Sequence, residues 1–399
     1  MGGRLSGAPE LPLAGMRVID MSTSYAGPTA TMYLAEMGAD VIKVERPEGD
    51  DTRRWGPPFV GGQSAWFVSA NRGKRSVCLD LKEAEDRDHL FRLLAGADVL
   101  VQSFNPAKLA KLGIHPDDVR VRFPRLIYCA LSGFGLNGPD AELPGYDLIA
   151  QARSGLMSVT GAAGGSPQRV STALSDVVAA LVAAFAIVAA FRHQERTGHG
   201  DLIDVSLLDA DLALLAPRVA SYLAGDPEPR PSGATDSVLF PYQTFPTQDR
   251  PIVVAAGNDG IWERFCRAVG LNGLLTPEHS TNAQRKARRD FLVGEISARL
   301  QTRPSAHWLA ALRAAAVPAA PIQSLPEMLA DPQVVARRAV TLIDDPAAGG
   351  PVAVLEAPWA LRSHPRPVTH RPPPMLGQHT AEVLAEAVEV DLTSEGTPT

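Results

Sequence analysis

An α/β fold built on a mainly parallel, doubly wound sheet is predicted for this 399-residue chain, and three observations predict it. Strand-like and helix-like segments alternate through the first 135 residues, the pattern of parallel strands joined by crossover helices. A Pro- and Gly-rich break, DPEPRPSGATDS over 226–237, separates this region from a second unit of hairpin and helices. Neither an internal repeat nor a coiled-coil heptad pattern is found, which removes solenoids and rods.

The elements follow in order. MRVID (16–20) reads as a short buried strand, AGPTATMYLAEMGA (26–39) as a helix closing at Gly38, and DVIKVE (40–45) as the next strand. KRSVCLDL (74–81) is strand-like, EAEDRDHLFRLLAGA (83–97) helical, and DVLVQSF (98–104) a strand. NPAKLAKLGI reads as a short helix, and RLIYCALSGFG (125–135) as a strand running into a Gly-rich loop. The apolar run Val177 to Phe191 predicts a buried central helix, since a membrane span needs about 20 residues. The stretch 198–225 reads as a strand and a helix, and 241–257 as a hairpin. Helices then continue through HWLAALRAAAV (307–317), with strands near 338–343 and 352–358. QHTAEVLAEAV (378–388) is the last helix, before a frayed tail.

With 45% hydrophobic and 21% charged residues, the composition is that of an ordinary globular protein. A net charge of −6 argues against non-specific binding to nucleic acid or anionic membrane, although basic groups can cluster locally. Cys78, Cys129 and Cys266 are odd in number and widely spaced, giving no disulfide framework and no metal-ligand spacing, and a reducing cytoplasm is expected. The N-terminal stretch lacks the apolar core of a signal peptide. Met1-Gly2 with Ser6 matches only the short myristoylation pattern, which often arises by chance.

The first strand-helix-strand unit imitates a dinucleotide-binding βαβ, even to Glu45 ending the second strand. Its connecting segment, MSTSYAGPTA, has one glycine where the pyrophosphate turn needs three, so hydride-transfer chemistry is disfavoured. Ligands of doubly wound sheets sit at the strands' C-terminal ends, which singles out Arg46, Ser103, Phe104 and the stretch Ser132 to Gly135. Lys74, Arg75, Lys108 and Lys111 lie near the same ends and together predict an anion pocket, while each alone reads as a surface cation. No G-x-S-x-G motif or metal-binding histidine spacing occurs. Asp176 immediately precedes the apolar run; it, or Ser175, caps the helix, or it is a desolvated nucleophile, and periodicity leaves both open.

Ordered motifs decide between them. LPLAGMRVIDMS, LAEMGADVIKVERPEGDDTR, DVLVQSFNP, SGFGLNGP, PGYDLIAQARSGLMSVTG and GDLIDVSLLDA resemble the family III CoA-transferases, which include formyl-CoA and carnitine-CoA transferases and the α-methylacyl-CoA racemases. The resemblance implies a Rossmann-like large domain that binds CoA, a smaller α+β domain, and an interlocked ring-like dimer. Its domains would be 1–225, 226–325 and a segment 326–399 returning to the large domain. It implies acyl-CoA and a small carboxylic acid as substrates, no permanently bound cofactor, no metal, and no nucleic-acid or membrane partner. Asp176 takes the position of the nucleophile, passing through an aspartyl anhydride and an aspartyl-CoA. CoA contacts carried over by position are Arg46, Lys74, Ser103, Phe104, Lys111 and Ser132, with Tyr25 where formyl-CoA transferase has a Gln. Lys111 and Ser132 stand where that enzyme has Arg and Lys, a departure at both contacts. Tyr146 stands where the racemases carry their catalytic His, which places racemase behind transferase because a phenol is a poor base near neutral pH.

Overall fold

The computed structural model describes residues 10–364 and 371–394, and the side chains only as far as 387; the expectations for the first nine residues and the frayed tail fall outside it. The chain divides into two compact units, one of residues 1–157, 169–227 and 332–399, the other of 158–168 and 228–331. The segment Ser158–Gln168, which lies in sequence within the first 225 residues, thus clusters with the second unit.

In chain order the first unit begins β1 (Arg17–Met21), α1 (Ala26–Glu36), β2 (Asp40–Glu45), the short hairpin β3 (Phe59–Val60) and β4 (Gln63–Ser64), α2 (Ala65–Asn71) and β5 (Arg75–Cys78). It continues through α3 (Ala84–Ala95), β6 (Val99–Gln102), α4 (Pro106–Leu112), α5 (Pro116–Arg122), β7 (Ile127–Ser132) and α6 (Asp147–Arg153). After α7 (Leu156–Val159) come α8 (Leu174–Thr197), β8 (Leu202–Ser206) and α9 (Leu207–Leu223).

Six strands form one sheet in the order β5-β2-β1-β6-β7-β8, every neighbouring pair parallel. Counted along the chain this is 3-2-1-4-5-6, the doubly wound order whose direction reverses between β1 and β6. Alternate strand residues feed two cores, as a pleated strand covered on both faces requires. Val18, Val41, Val101 and Cys129 pack with α1 and α8 on one face. Ile19, Ile42, Leu100 and Tyr128 pack with α3 and the C-terminal helix on the other.

The expected deep burial of the apolar helix holds for one stripe only. Ala179, Ala180, Ala183 and Ile187 of α8 are buried against its neighbours α1, α9, β7 and β8. Leu181, Val182 and Phe185 face outward, Phe185 77% exposed. The run is apolar around its whole circumference, whereas the sheet and helices α1, α6 and α9 cover one side of it. By length and composition α8 is the one helix among the described residues apolar enough to cross a membrane, yet it packs within the α/β layers.

The second unit holds the antiparallel sheet β9 (Tyr242–Phe245), β10 (Ile252–Ala255) and β11 (Ala319–Pro321), with α10 (Asp259–Val269), α11 (Asn282–Ala287), α12 (Arg289–Leu300), α13 (Ser305–Ala314) and α14 (Leu325–Leu329). Trp262, Phe265, Ile296 and Trp308 make its core. The chain then adds to the first unit α15 (Pro332–Ala336), the hairpin β12 (Val340–Asp345) and β13 (Gly350–Leu355), and α16 (Thr380–Ser394). The segment before α16 covers the open edge of β5: Ser76 Oγ accepts from the Gly377 N–H at 3.0 Å, and Thr380 Oγ1 from the Cys78 N–H at 3.0 Å. An edge strand left bare would invite pairing with another chain.

Candidate active site

A cavity of about 290 Å³ opens at the C-terminal ends of β1, β6 and β7. It lies where the strand order reverses, the position at which doubly wound sheets bind ligands. Thr23 after β1 and Ser103 after β6 meet across this point, the Thr23 N–H donating to Ser103 Oγ at 3.0 Å. Two further loops meet beside the cavity. A Cβ on Gly133 would stand 2.5 Å from the Gly145 Cα, so these backbones touch only because both residues are glycine.

Asp176 lines the cavity from the first turn of α8. Neither Ser175 nor Asp176 caps that helix: the N-cap residue is Ala173, which has no side chain to cap with. The task passes to α6, where Asp147 Oδ1 accepts the Ser175 N–H at 2.9 Å and Oδ2 accepts from Gln151 Nε2 at 2.9 Å. The Ser175 hydroxyl in turn donates to Asp211 Oδ2 of α9 at 3.0 Å. Asp211 is fully buried, and its other oxygen has no hydrogen-bond partner among the described residues.

Asp176 is consequently left without a hydrogen bond or ion pair among the described residues, in a cavity with two other carboxylates close by. Burial first, then the charges of Asp147 and Asp211, push its carboxyl up to about 7. Burial likewise raises Asp211, partly offset by hydrogen bonds from Ser175 and Ser154. A carboxylate of raised basicity, half-buried and free of structural duties, is equipped to act as a nucleophile near neutral pH.

From residue 13 to residue 380 the chain matches the model of CoA-transferase family III. The chain belongs to CoA-transferase family III. It is 41% identical to a succinate–glutarate CoA-transferase of Agrobacterium fabrum, the alignment covering 96% of this chain and 97% of that one. It is 37% identical to human succinyl-CoA:glutarate CoA-transferase, over 95% and 87% of the two chains. A crystal structure of a CAIB/BAIF family protein from Brucella suis, 35% identical, superimposes with a TM-score of 0.82 and covers 95% of this chain and 100% of its own. The protein is accordingly an acyl-CoA:carboxylate CoA-transferase.

Around this candidate site the sequence-expected residues separate. Asp176, Ser103, Phe104 and Ser132 line the same cavity, Ser132 Oγ accepting the Gly135 N–H at 2.8 Å. Arg46 lines a second cavity of about 280 Å³, at the ends of β1 and β2, which shares Thr23, Phe104 and Lys108 with the first. Its guanidinium pairs with Asp51 at 2.6 Å.

Three expected contacts line neither cavity. Tyr25 turns its ring edge-on to Trp66 at 5.2 Å and accepts from the Ser69 hydroxyl at 3.4 Å. Lys111 is exposed in the last turn of α4. Lys74 is fully buried, its ammonium donating to Asp20 Oδ2, the Pro28 carbonyl and Asn71 Oδ1 at 2.8–2.9 Å, so it has no surface to offer a ligand.

On α4 it is Lys108, one turn before Lys111, that lines both cavities, its ammonium 3.7 Å from the centre of the Phe104 ring. Motif position pointed to Lys111, and one turn of helix separates the two, so only the packing of α4 could choose. Asp147 was visible inside the motif PGYDLIAQ but carried no assigned role, and nothing in the local pattern marked Asp211.

Proposed function

We propose that the protein moves CoA from succinyl-CoA to a short dicarboxylic acid such as glutarate, with Asp176 as the covalent nucleophile. The observation that carries this reading is the Asp176 carboxylate, uncommitted and raised in basicity, on the wall of the switch-point cavity. The relatives' names supply the substrate class.

Asp176 attacks the thioester carbonyl, the C–S bond breaks, and CoA leaves as thiolate with the acyl group held on Asp176 as a mixed anhydride. The thiolate attacks the Asp176 carbonyl carbon, breaking the C–O bond, so the donor acid leaves as carboxylate and aspartyl-CoA remains. An acceptor carboxylate attacks that thioester, displacing the thiolate and forming the second anhydride. The thiolate then takes the acceptor acyl carbon and restores the Asp176 carboxylate. One thioester and one carboxylate enter and leave, with no net proton and no further reactant. In the first turn of α8 the Leu174 and Ser175 N–H groups are taken by the Thr172 carbonyl and Asp147, so the N–H of Asp176 itself is the donor assigned to a developing oxyanion.

CoA is a substrate in this scheme, not a resident cofactor. Its nucleotide end fits the Arg46 cavity, and its thioester passes Phe104 and Lys108 to reach Asp176, a path supported by the three residues the cavities share. Incubation with succinyl-CoA followed by hydroxylamine or borohydride is expected to modify Asp176, and addition of glutarate to yield glutaryl-CoA by mass spectrometry. Solvent deuterium entering the α-carbon without any acceptor acid would instead mark the racemase reading, against which Tyr146 stands.

The working form is a homodimer in this proposal, and the outer faces of α8 and α9 are the surface a second copy would cover. Phe185 and Leu223 there are 77% and 78% exposed, and Leu181, Val182 and Leu212 on the same two helices are exposed as well, large apolar side chains of the kind a partner surface covers. Phe185→Asp is expected to shift the protein from dimer to monomer in analytical ultracentrifugation; an unshifted dimer would place the contact elsewhere. Three free cysteines suit a reducing compartment such as the cytoplasm.

A further inference from the structure

Beneath the cavity, two lysines and two aspartates form a closed group with almost no solvent exposure: Lys43 with Asp50 at 2.9 Å, and Lys74 with Asp20 at 2.9 Å. Burial alone would raise the Asp20 carboxyl, but Lys74, Lys43 and the hydroxyls of Ser22 and Thr31 outweigh it and hold it well below the usual carboxylate range. Buried ion pairs contribute little net stability, because desolvation offsets attraction, so retaining two of them calls for another reason.

Beyond their bonds to Thr31, Thr52 and Asn71, this group reaches one stretch of chain from several sides. Asp20 Oδ1 accepts both the N–H and the hydroxyl of Ser22, and the Lys43 ammonium donates to the Ser22 carbonyl at 2.9 Å. Asp50 Oδ1 accepts the Ser24 N–H at 3.4 Å, at a residue held in the left-handed region with φ of 67°. Lys74 donates to the Pro28 carbonyl in the first turn of α1 at 2.8 Å. Gly27 closes onto Ser22 so tightly that a Cβ there would lie 2.3 Å from the Ser22 Cβ. Thr23, Ser24, Ala26 and Gly27, the residues fixed in this way, are the cavity wall in which Asp176 also stands.

We propose that Lys43 and Lys74 are positioning residues that fix the Ser22–Gly27 wall of the active-site cavity: Lys74 lines neither cavity, and Lys43, which borders the Arg46 cavity, spends its ammonium on the Ser22 carbonyl and Asp50 rather than on CoA. The inference uses the transferase reading for its kinetic test. Wild type, Lys43→Met and Lys74→Met are compared on succinyl-CoA and on succinyl-pantetheine, which lacks the nucleotide and its phosphates. A positioning role lowers kcat/KM for both thioesters by the same factor, about tenfold or more, since small misplacements of a reacting site are costly. It also speeds amide hydrogen exchange over 22–27 while the remaining strands keep their protection. A loss confined to succinyl-CoA in either variant would make that lysine a direct nucleotide contact, Lys43 being the one that borders the Arg46 cavity, and overturn the proposal, as would no loss with either substrate.

Should the lysine variants fail to fold, Thr31→Val serves. Its hydroxyl reaches Asp20 Oδ2 at 2.7 Å and otherwise only carbonyls of its own helix, and it lines neither cavity. An equal, smaller loss on both substrates is expected, and an unequal loss or none overturns the proposal. If wild type transfers CoA to no acid at all, the transferase reading fails by itself. Exchange over 22–27 in Thr31→Val then decides the positioning role, unchanged exchange rejecting it.

Discussion

Asp176→Asn is expected to abolish CoA transfer, by a factor of at least about 10³, while making the protein more stable at alkaline pH. The two effects share one cause. In the folded chain the Asp176 carboxyl is raised from the ordinary carboxylate value to about 7 by burial and by Asp147 and Asp211. A group raised in this way binds its proton more tightly folded than unfolded. The stability it contributes is present below about pH 4 and is lost as pH rises through about 7. Asparagine imitates the protonated form at every pH. The variant should therefore gain about 1–2 kcal/mol at pH 8, after a discount for partial solvent screening, and nothing near pH 3, below both the folded and the unfolded values. Urea denaturation at the two pH values measures this, with steady-state transfer assays alongside. Equal stability at both values would mean that Asp176 is an ordinary solvated carboxylate, and surviving transfer would remove it from the chemistry.

Asp147→Asn should move the acid limb of the rate profile. Wild-type kcat/KM is expected to fall as pH drops through about 7, because the protonated Asp176 cannot attack a thioester. Asparagine at 147 retains an oxygen for the Ser175 N–H, now held at 2.9 Å, so the helix cap survives while the negative charge, its ion pair with Arg169 and the acceptor for Gln151 Nε2 are lost. With one like charge gone, the limb shifts downward by about one pH unit, leaving the variant several-fold faster than wild type near pH 6. Above pH 8, where both are ionised, the less basic carboxylate of the variant should be no faster than wild type. Asp147→Ala is the control: it removes the cap as well and costs about 1 kcal/mol or more of stability. A limb that stays in place in Asp147→Asn would assign it to a group other than Asp176.

The sheet was readable from sequence because each of its strands is a short apolar run bounded by a helix signal or a glycine. DVIKVE coincides with β2 residue for residue, and MRVID differs from β1 by one position. What periodicity could not provide was the direction in which side chains leave those elements. Lys74 looked like a cation at a strand end, yet the topology folds it under α1, where Asp20 and Asn71 consume its donors. Lys108 and Lys111 differ by three residues, and the tilt of α4 sends the former into the cavities. Asp176 looked like a helix cap, and was freed of that duty by Asp147, 29 positions earlier. Contacts between residues so distant in sequence leave no local pattern. The outward half of α8 was missed for a similar reason: an all-round apolar helix reads as buried whether a neighbour or a second subunit covers it.

The covering of β5 also bears on how the protein is made. The Cys78 N–H finds its acceptor, Thr380 Oγ1, 302 residues further along the chain. At ribosomal speeds of ~5–20 residues per second, the edge of the growing sheet waits roughly 15–60 s for its cover. Throughout that interval the nascent first unit carries an open strand and the exposed apolar face of α8, and the second unit is made before the first can close. Synthesis of this fold is thus a period open to wrong strand pairing, which closes at β5 only once the Thr380 region has been made.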